Sequence, residues 1–161
     1  MPSKLYSLVV IYLTLFISMA LSIIPWSNSV ASFMPNWPIL TLMYWCLALP
    51  HRVSVGTGFA VGLLLDTLSG NVIGQHALIF SITAFAGHSF YLRIRNYLLW
   101  QQSFFSLFFL CLIHTLFLWT SQLEQHSYIT LQSYAQPFVS ALAWPAIFAV
   151  LRLTRRHYNV Q

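Results

Sequence analysis

Few side chains in this sequence could do acid-base, nucleophilic or metal chemistry, and they are scattered along it. Of the 161 residues only two are acids, Asp66 and Glu124, and they lie in different segments. The two cysteines, Cys46 and Cys111, lie inside apolar runs, where thiols are usually inert packing groups. The sequence shows no residue spacing typical of a metal site and no glycine-rich phosphate loop. It also offers no shared pocket for serine and histidine. We therefore expect no catalytic residue, no cofactor and no metal, and we expect that the chain is not an enzyme.

Asp66 is the residue that most needs an explanation. It ends a long apolar run, and an ionised carboxylate within a membrane segment costs a few kcal/mol. It also lies at the C-terminal end of its predicted helix, where the helix dipole disfavours negative charge. The side chain of His76 and the backbone amides of residues 67–71 are the candidates to offset both effects. Three roles stay open: capping the turn before the next helix, binding a partner or small ligand, or relaying protons.

The composition indicates an all-α integral membrane protein. The chain is 58% apolar and only 6% charged, whereas a surface that faces water needs about a quarter charged residues. The net charge of +5 comes from basic residues in short loops and near the C-terminus, without the basic face of a nucleic-acid-binding protein. We therefore expect membrane lipid, and no nucleic acid, as a partner.

Apolar runs of suitable length predict six transmembrane helices in a single domain, residues 1–161. With this count all seven Lys and Arg residues fall on one side, which the positive-inside rule identifies as the cytoplasm, and both termini lie there. A signal peptide is the alternative for the first segment. Almost no loop separates the second span from the third, which predicts a tight antiparallel hairpin. The predicted spans are residues 5–24, 33–49, 53–68, 73–92, 97–121 and 134–151.

Glycine is concentrated in and around the third predicted span. Gly58 and Gly62 are four residues apart, with Gly56 half a turn earlier, and this spacing forms a flat groove into which another membrane helix packs closely. Either a neighbouring helix of the same chain fills the groove, or a partner protein or a second copy of the chain does. The candidate partner interface comprises Gly56, Gly58, Gly62, Asp66, Gly70, Gly74 and His76.

A small basic face is expected on the cytoplasmic side. His51 and Arg52 lie between the second and third spans, and Arg93 and Arg95 end the fourth. Anchoring to anionic lipid is the first interpretation of such a face. Docking of an acidic cytoplasmic protein is the alternative.

A series of short motifs runs from residue 35 to residue 102: Pro35-Asn36-Trp37, Tyr44-Trp45, Leu47-Ala48-Leu49-Pro50-His51-Arg52-Val53, Gly56-Thr57-Gly58-Phe59, Gly62, Asp66, Ser69-Gly70, Gly74 and Leu99-Trp100-Gln101-Gln102. With these motifs, its small size and its basic C-terminus, the chain resembles the MreD family of rod-shape-determining proteins in its Gram-negative proteobacterial form. The resemblance covers nearly the whole length and is most specific between residues 35 and 74.

The resemblance implies a non-enzymatic component of the bacterial inner membrane that helps to position lateral peptidoglycan synthesis and to maintain rod shape. The partners it implies are the single-span protein MreC, the actin-like MreB, the glycosyltransferase RodA and RodA's penicillin-binding transpeptidase. The implied fold is similar to that of the membrane substrate-binding subunits of energy-coupling-factor transporters.

These observations support a scaffold hypothesis. A groove floored by Gly58 and Gly62 would hold the transmembrane helix of a partner, and Asp66 would order the outer turn beside it. The alternative is the substrate-binding membrane subunit of a vitamin or other small-molecule importer, for which Asp66, His76 and Glu124 supply few polar groups. An ion or proton transporter would need paired charges within the membrane, which the sequence lacks.

Overall fold

The computed structural model describes residues 4–25, 33–70, 73–122 and 134–158, and within these ranges it is all-helical. Each predicted span overlaps one helix, so the all-α class is confirmed. Glu124 and residues 26–32, between the first two predicted spans, lie outside the described residues. The helices are α1 (Lys4–Ile23), α2 (Trp37–Ala48), α3 (Val55–Ser69), α4 (Gln75–Arg95), α5 (Leu99–Gln122) and α6 (Ala135–His157).

Proline and glycine set several of the helix ends. Pro38 lies in the first turn of α2, where its missing amide donor does little harm, and Leu49 and Pro50 follow the last residue of that helix. Gly70 ends α3 in the left-handed conformation with φ +67°, and Gly74 precedes α4 with φ +109°. Both values lie in the region that favours glycine, so the turn between α3 and α4 depends on these two residues.

Helix α2 lies at the centre of the bundle, packed against α1, α4 and α6. Ten of its twelve residues are buried. The indole Nε1 of Trp45 donates to Thr14 Oγ1 of α1 at 2.9 Å, and a Cβ built on Gly87 of α4 would lie 2.7 Å from Cys46 Cβ. Because it is enclosed by other helices, α2 does not need the outward apolar surface of a lipid-facing span.

Helix length separates two groups. Four helices, α1, α4, α5 and α6, are long and apolar enough to cross a membrane. The other two, α2 and α3, have 12 and 15 residues, so at 1.5 Å per residue they extend roughly 18 and 22 Å. The chain is therefore a multi-pass membrane protein, and the crossing of the bilayer by α2 and α3 stays a prediction.

The tight hairpin predicted between the second and third spans is wrong. Both α2 and α3 pack chiefly against α4, whereas α2 and α3 share no extended contact. The chain does turn sharply after α2, where the amides of Arg52 and Val53 donate to the Leu49 carbonyl at 3.0 and 3.2 Å. A short loop fixes where the next helix begins, but side-chain packing decides which neighbour that helix lies against. The closely packed hairpin in this structure is formed by α3 and α4.

The described helix ends form two groups of opposite character. At one, the basic end, the C-termini of α2, α4 and α6 meet the N-terminus of α5 around a cavity that contains several arginines. At the other, the Asp66 end, residues near the N-termini of α2, α4 and α6 meet the later part of α5 around a smaller cavity. Sequence analysis placed the basic residues on one side, and the structure gathers several of them at one end.

We predict that the centre of the bundle depends on Trp45. Trp45→Ala removes a fully buried ring and its hydrogen bond to Thr14, so unfolding free energy should fall by about 3 to 5 kcal/mol. The control is Trp119→Ala, because Trp119 is 68% exposed and this change should cost far less. Unfolding in mixed micelles of a mild detergent and SDS measures both, and equal losses would contradict the central position of α2.

Candidate functional site

The carboxylate of Asp66 is fully buried and accepts four hydrogen bonds from the start of α4. Oδ2 accepts from the amides of Gly74 at 2.9 Å and Ala77 at 3.2 Å. Oδ1 accepts from the amide of His76 at 3.0 Å, and it lies 2.7 Å from the His76 ring atom Nδ1. These donors replace the hydrogen bonds to water that the carboxylate loses on burial.

The local backbone explains how one helix caps the next. Asp66 lies in the last turn of α3, and the chain reverses through Gly70 and Gly74 so that the first turn of α4 comes back over the carboxylate. The first amides of a helix have no carbonyl partner within that helix and carry partial positive charge. The charge of Asp66 is unfavourable for the dipole of α3, but it is compensated by the dipole and the free amides of α4.

The structure supports the capping role among the three that the sequence left open. The expected contact between Asp66 and His76 is confirmed, with 2.7 Å between Oδ1 and Nδ1. The amide donors that the structure shows belong to residues 74, 76 and 77, and none of those expected from residues 67–70 is among them. Asn71, the last residue of the expected set, lies outside the described residues. A residue that caps its own helix lies at a regular spacing from the amides that it binds. Here the cap comes from the preceding helix, so the turn between the two helices decides which amides it meets.

The groove formed by Gly58 and Gly62 is filled by α4 of the same chain. A Cβ built on Gly58 would lie 2.6 Å from the Phe80 carbonyl oxygen, and one built on Gly62 would lie 2.5 Å from Ala77 Cα. These distances leave no space for any side chain and none for a second helix. The expectation that Gly58 and Gly62 floor a groove for a partner is therefore corrected, and the alternative of internal packing describes them.

Gly56 differs from its two neighbours in the motif. A Cβ built on it meets only Ser54 Oγ at 3.7 Å, which is ordinary contact, and the residue is exposed. On a helix Gly56 and Ala60 share a face, and both are exposed, whereas Gly58 and Gly62 are buried. Gly87, for which the sequence pattern gave no signal, also packs internally: a Cβ built on it would lie 2.7 Å from Cys46 Cβ of α2.

His76 connects Asp66 to a cavity of about 150 Å³ at the Asp66 end. Its ring lies against Phe80 and Phe117, with centroids 6.1 and 5.3 Å away. Polar residues that sequence analysis did not place here also line the cavity, namely Asn36, His114, Gln136 and Ser140. Sites for drug-sized ligands usually have volumes of about 300 to 1,000 Å³, so this cavity suits water or a very small ligand better than a vitamin.

The predicted basic face is divided in the structure. His51 and Arg93 are exposed and Arg52 is half-buried, but none of these three lines the cavity at the basic end. Arg95 does line it, together with Arg152, Arg155 and Arg156 of α6. Charge placement predicts the arginines of α6 on the same side as Arg95 but not beside it, because only packing brings the ends of α4 and α6 together.

Among the residues that the structure describes, no three His, Cys, Asp or Glu side chains are grouped as metal ligands would be. The two cysteines are free, with Cys46 buried and Cys111 partly exposed. The chemistry that the geometry does provide is electrostatic and structural: an anchored carboxylate at one end and a concentration of guanidinium groups at the other.

Comparison with known proteins shows the family of this chain. Residues 3–154 match the family model described as rod shape-determining protein MreD. The chain belongs to the MreD family. It is also 34% identical over 140 residues to the rod shape-determining protein MreD of Haemophilus influenzae, covering 87% of this chain and 86% of that protein. Membership of the MreD family confirms the sequence resemblance and supports a role in the determination of rod cell shape.

No solved structure matches the chain. The expected likeness of this MreD-family protein to the membrane subunits of energy-coupling-factor transporters therefore stays a prediction. The importer alternative finds no support in the family match or in the relative.

Alanine substitutions should distinguish the glycine that packs internally from the one that faces outward. Gly62→Ala forces a Cβ against the backbone of α4 and should lower the unfolding free energy by about 1 to 3 kcal/mol. Gly56→Ala meets open space and should be neutral or stabilising by up to about 1 kcal/mol, because alanine favours helix. Thermal unfolding in detergent compares the two. If both changes were neutral, the close approach of α3 and α4 would be refuted.

Removing the charge of Asp66 should loosen the hairpin of α3 and α4. In Asp66→Asn one acceptor oxygen becomes an NH₂ group that faces backbone donors, so we expect a loss of about 2 to 4 kcal/mol in unfolding free energy. Amide hydrogen exchange of a peptide covering residues 73–78 should also become faster. The control is Ser69→Ala, which changes an exposed residue of the same helix, and an Asp66→Asn protein as stable as this control would disprove the capping role.

Proposed function

We propose that this MreD-family protein is a non-enzymatic membrane scaffold of the cell-elongation complex, which holds a partner's transmembrane helix and so helps to position lateral peptidoglycan synthesis. Membership of the family supports the role in rod shape. The observation that carries the scaffold proposal is the outward face of α3: Gly56, Phe59, Ala60 and Leu64 are all exposed on a helix whose opposite face is fixed to α4.

The outward face has the shape that membrane helices use to associate. Gly56 and Ala60 are small and four residues apart, so a second helix can approach the backbone closely between them. Phe59 and Leu64 flank this strip and are 50% and 47% exposed, so they supply apolar contact area on either side. Gly56 thus remains a candidate of the predicted interface, with Ala60 in the place predicted for Gly58 and Gly62.

The opposite face of α3 makes this surface rigid. The close contacts of Gly58 and Gly62 with α4, and the four hydrogen bonds to Asp66, hold α3 in one position along α4. A surface that is ordered before binding loses little conformational freedom on binding, which favours association. Gly70, Gly74, Asp66 and His76 therefore act on the interface by holding α3, and they need not touch the partner.

We propose that the bound helix is the transmembrane helix of MreC, because a single-span protein offers one helix of the length that this face can take. MreB, RodA and the penicillin-binding transpeptidase are the further partners of the assembled complex. We place the protein in the inner membrane with the basic end and both termini in the cytoplasm, as the positive-inside rule requires. A second copy of the chain on the same face is the competing occupant.

Bulky residues on the outward face should block the partner and leave the fold intact. Gly56→Leu and Ala60→Leu should each reduce the amount of MreC copurified from membranes at least several-fold, because the partner backbone can no longer approach. In cells depleted of the wild-type protein, the same variants should fail to restore rod shape.

The matched control is Ala149→Leu, the same enlargement of a small exposed residue on α6. It should leave capture of MreC and cell shape unchanged, and all three variants should reach wild-type membrane levels. Undiminished capture of MreC by both the Gly56→Leu and the Ala60→Leu variants would overturn this interface. Loss of self-association with intact MreC capture would assign the face to a second copy.

A further inference from the structure

The cavity at the basic end has about 640 Å³ of space and is the larger of the two cavities described. Four helices contribute to it: the end of α2, the end of α4, the start of α5 and the end of α6. Its volume falls within the range of sites that hold a small molecule or a lipid headgroup, which is about 300 to 1,000 Å³.

Four arginines line this cavity, namely Arg95 of α4 and Arg152, Arg155 and Arg156 of α6. The described part of the chain has a single side-chain carboxylate, Asp66, which is bound to His76 at the opposite end. Like charges gathered in a concave site repel one another and attract an anion. Arginine in particular offers paired N–H groups that match two oxygens of a phosphate.

An independent observation comes from Gln102, which also lines the cavity and is only 4% exposed. Its Nε2 donates to the carbonyls of Ile94 and Tyr97, both at 3.1 Å, which fixes the orientation of the amide group. Its Oε1 is buried and has no hydrogen-bond partner. A buried acceptor without a donor is unfavourable, so a ligand that carries a hydroxyl group beside its negative charge would remove this cost.

The remaining walls indicate a lipid as the source of the anion. Leu98 and Leu99 at the mouth are 63% and 47% exposed, and Leu47 and Phe148 line the cavity as well. Tyr97, which is 43% exposed, adds an amphipathic ring of the kind found at headgroup level. The site thus combines arginines with apolar surface that continues onto the lipid-facing side of the bundle, as basic pockets for anionic lipids do.

We propose that this cavity binds the phosphate of an anionic membrane lipid whose headgroup also carries a hydroxyl, the chemistry of phosphatidylglycerol. The phosphate lies among Arg95, Arg152 and Arg156, and a headgroup hydroxyl donates to Gln102 Oε1. The bound lipid joins the ends of α4, α5 and α6. This site differs from the general basic face expected from the sequence, because His51, Arg52 and Arg93 take no part in it.

The test measures how far lipids raise the thermal unfolding midpoint of the full chain purified in a mild detergent. Dioleoyl phosphatidylglycerol should raise the midpoint of the wild type by about 5 °C at saturation. Dioleoyl phosphatidylcholine, which has no net charge, should raise it far less. Dioleoyl phosphatidylmethanol has the same phosphate charge but no headgroup hydroxyl, and several-fold more of it should be needed for the same shift.

The chain provides a matched pair of variants for this test. Arg95→Gln and Arg93→Gln remove the same charge from the last turn of the same helix, and both residues are exposed, but only Arg95 lines the cavity. Arg95→Gln and Arg152→Gln should each lose at least half of the shift given by phosphatidylglycerol. Arg93→Gln should keep it.

Three results would overturn the proposal. An equal shift in the Arg93, Arg95 and Arg152 variants would mean that lipid acts only through general charge at the membrane surface. An equal shift with glycerol 1-phosphate would mean that the site takes a soluble phosphate rather than a lipid. Stabilisation by a polyglutamate peptide, with no response to phosphatidylglycerol, would assign the cavity to an acidic protein segment.

Discussion

The structure depends most on the contact between a buried carboxylate and the first turn of the helix that follows it. Burial of the Asp66 carboxylate near the end of the apolar helix α3 would be costly by itself. The start of α4 offsets this cost, because three backbone amides and the His76 ring hydrogen-bond to the carboxylate. The contact fixes the position of α3 along α4. Gly58 and Gly62 can then approach the backbone of α4 over about one helical turn, which no other residue type would allow.

Helix α2 is the most buried of the helices described. A 12-residue helix is too short to match the thickness of a bilayer on its own. Since α1, α4 and α6 pack against it, its surface meets protein and its length is not set by lipid. The longer helices α1, α4, α5 and α6 provide the outward apolar surface, and α3 lies on the outside of α4 with one face open.

The two ends of the bundle provide different chemistry for the role of the family in rod shape. At the Asp66 end the carboxylate is hydrogen-bonded within the chain, and the adjoining cavity is small. At the basic end, arginines from α4 and α6 surround a larger cavity with an unpaired acceptor on Gln102. The Asp66 carboxylate is thus paired within the chain, whereas we propose an anionic lipid for the basic end and a partner helix for the open face of α3.

The sequence by itself determined the membrane class, the six helical segments and the family, because hydropathy, charge placement and short motifs are local properties of the chain. It also identified His76 as the partner of Asp66, since the two lie ten residues apart across one turn. Only the tertiary structure decided that α4 covers Gly58 and Gly62, that Gly56 faces outward, and that Arg95 joins the arginines of α6. Periodicity shows which residues share a helix face, but the helix that covers this face is chosen by packing among segments distant in sequence.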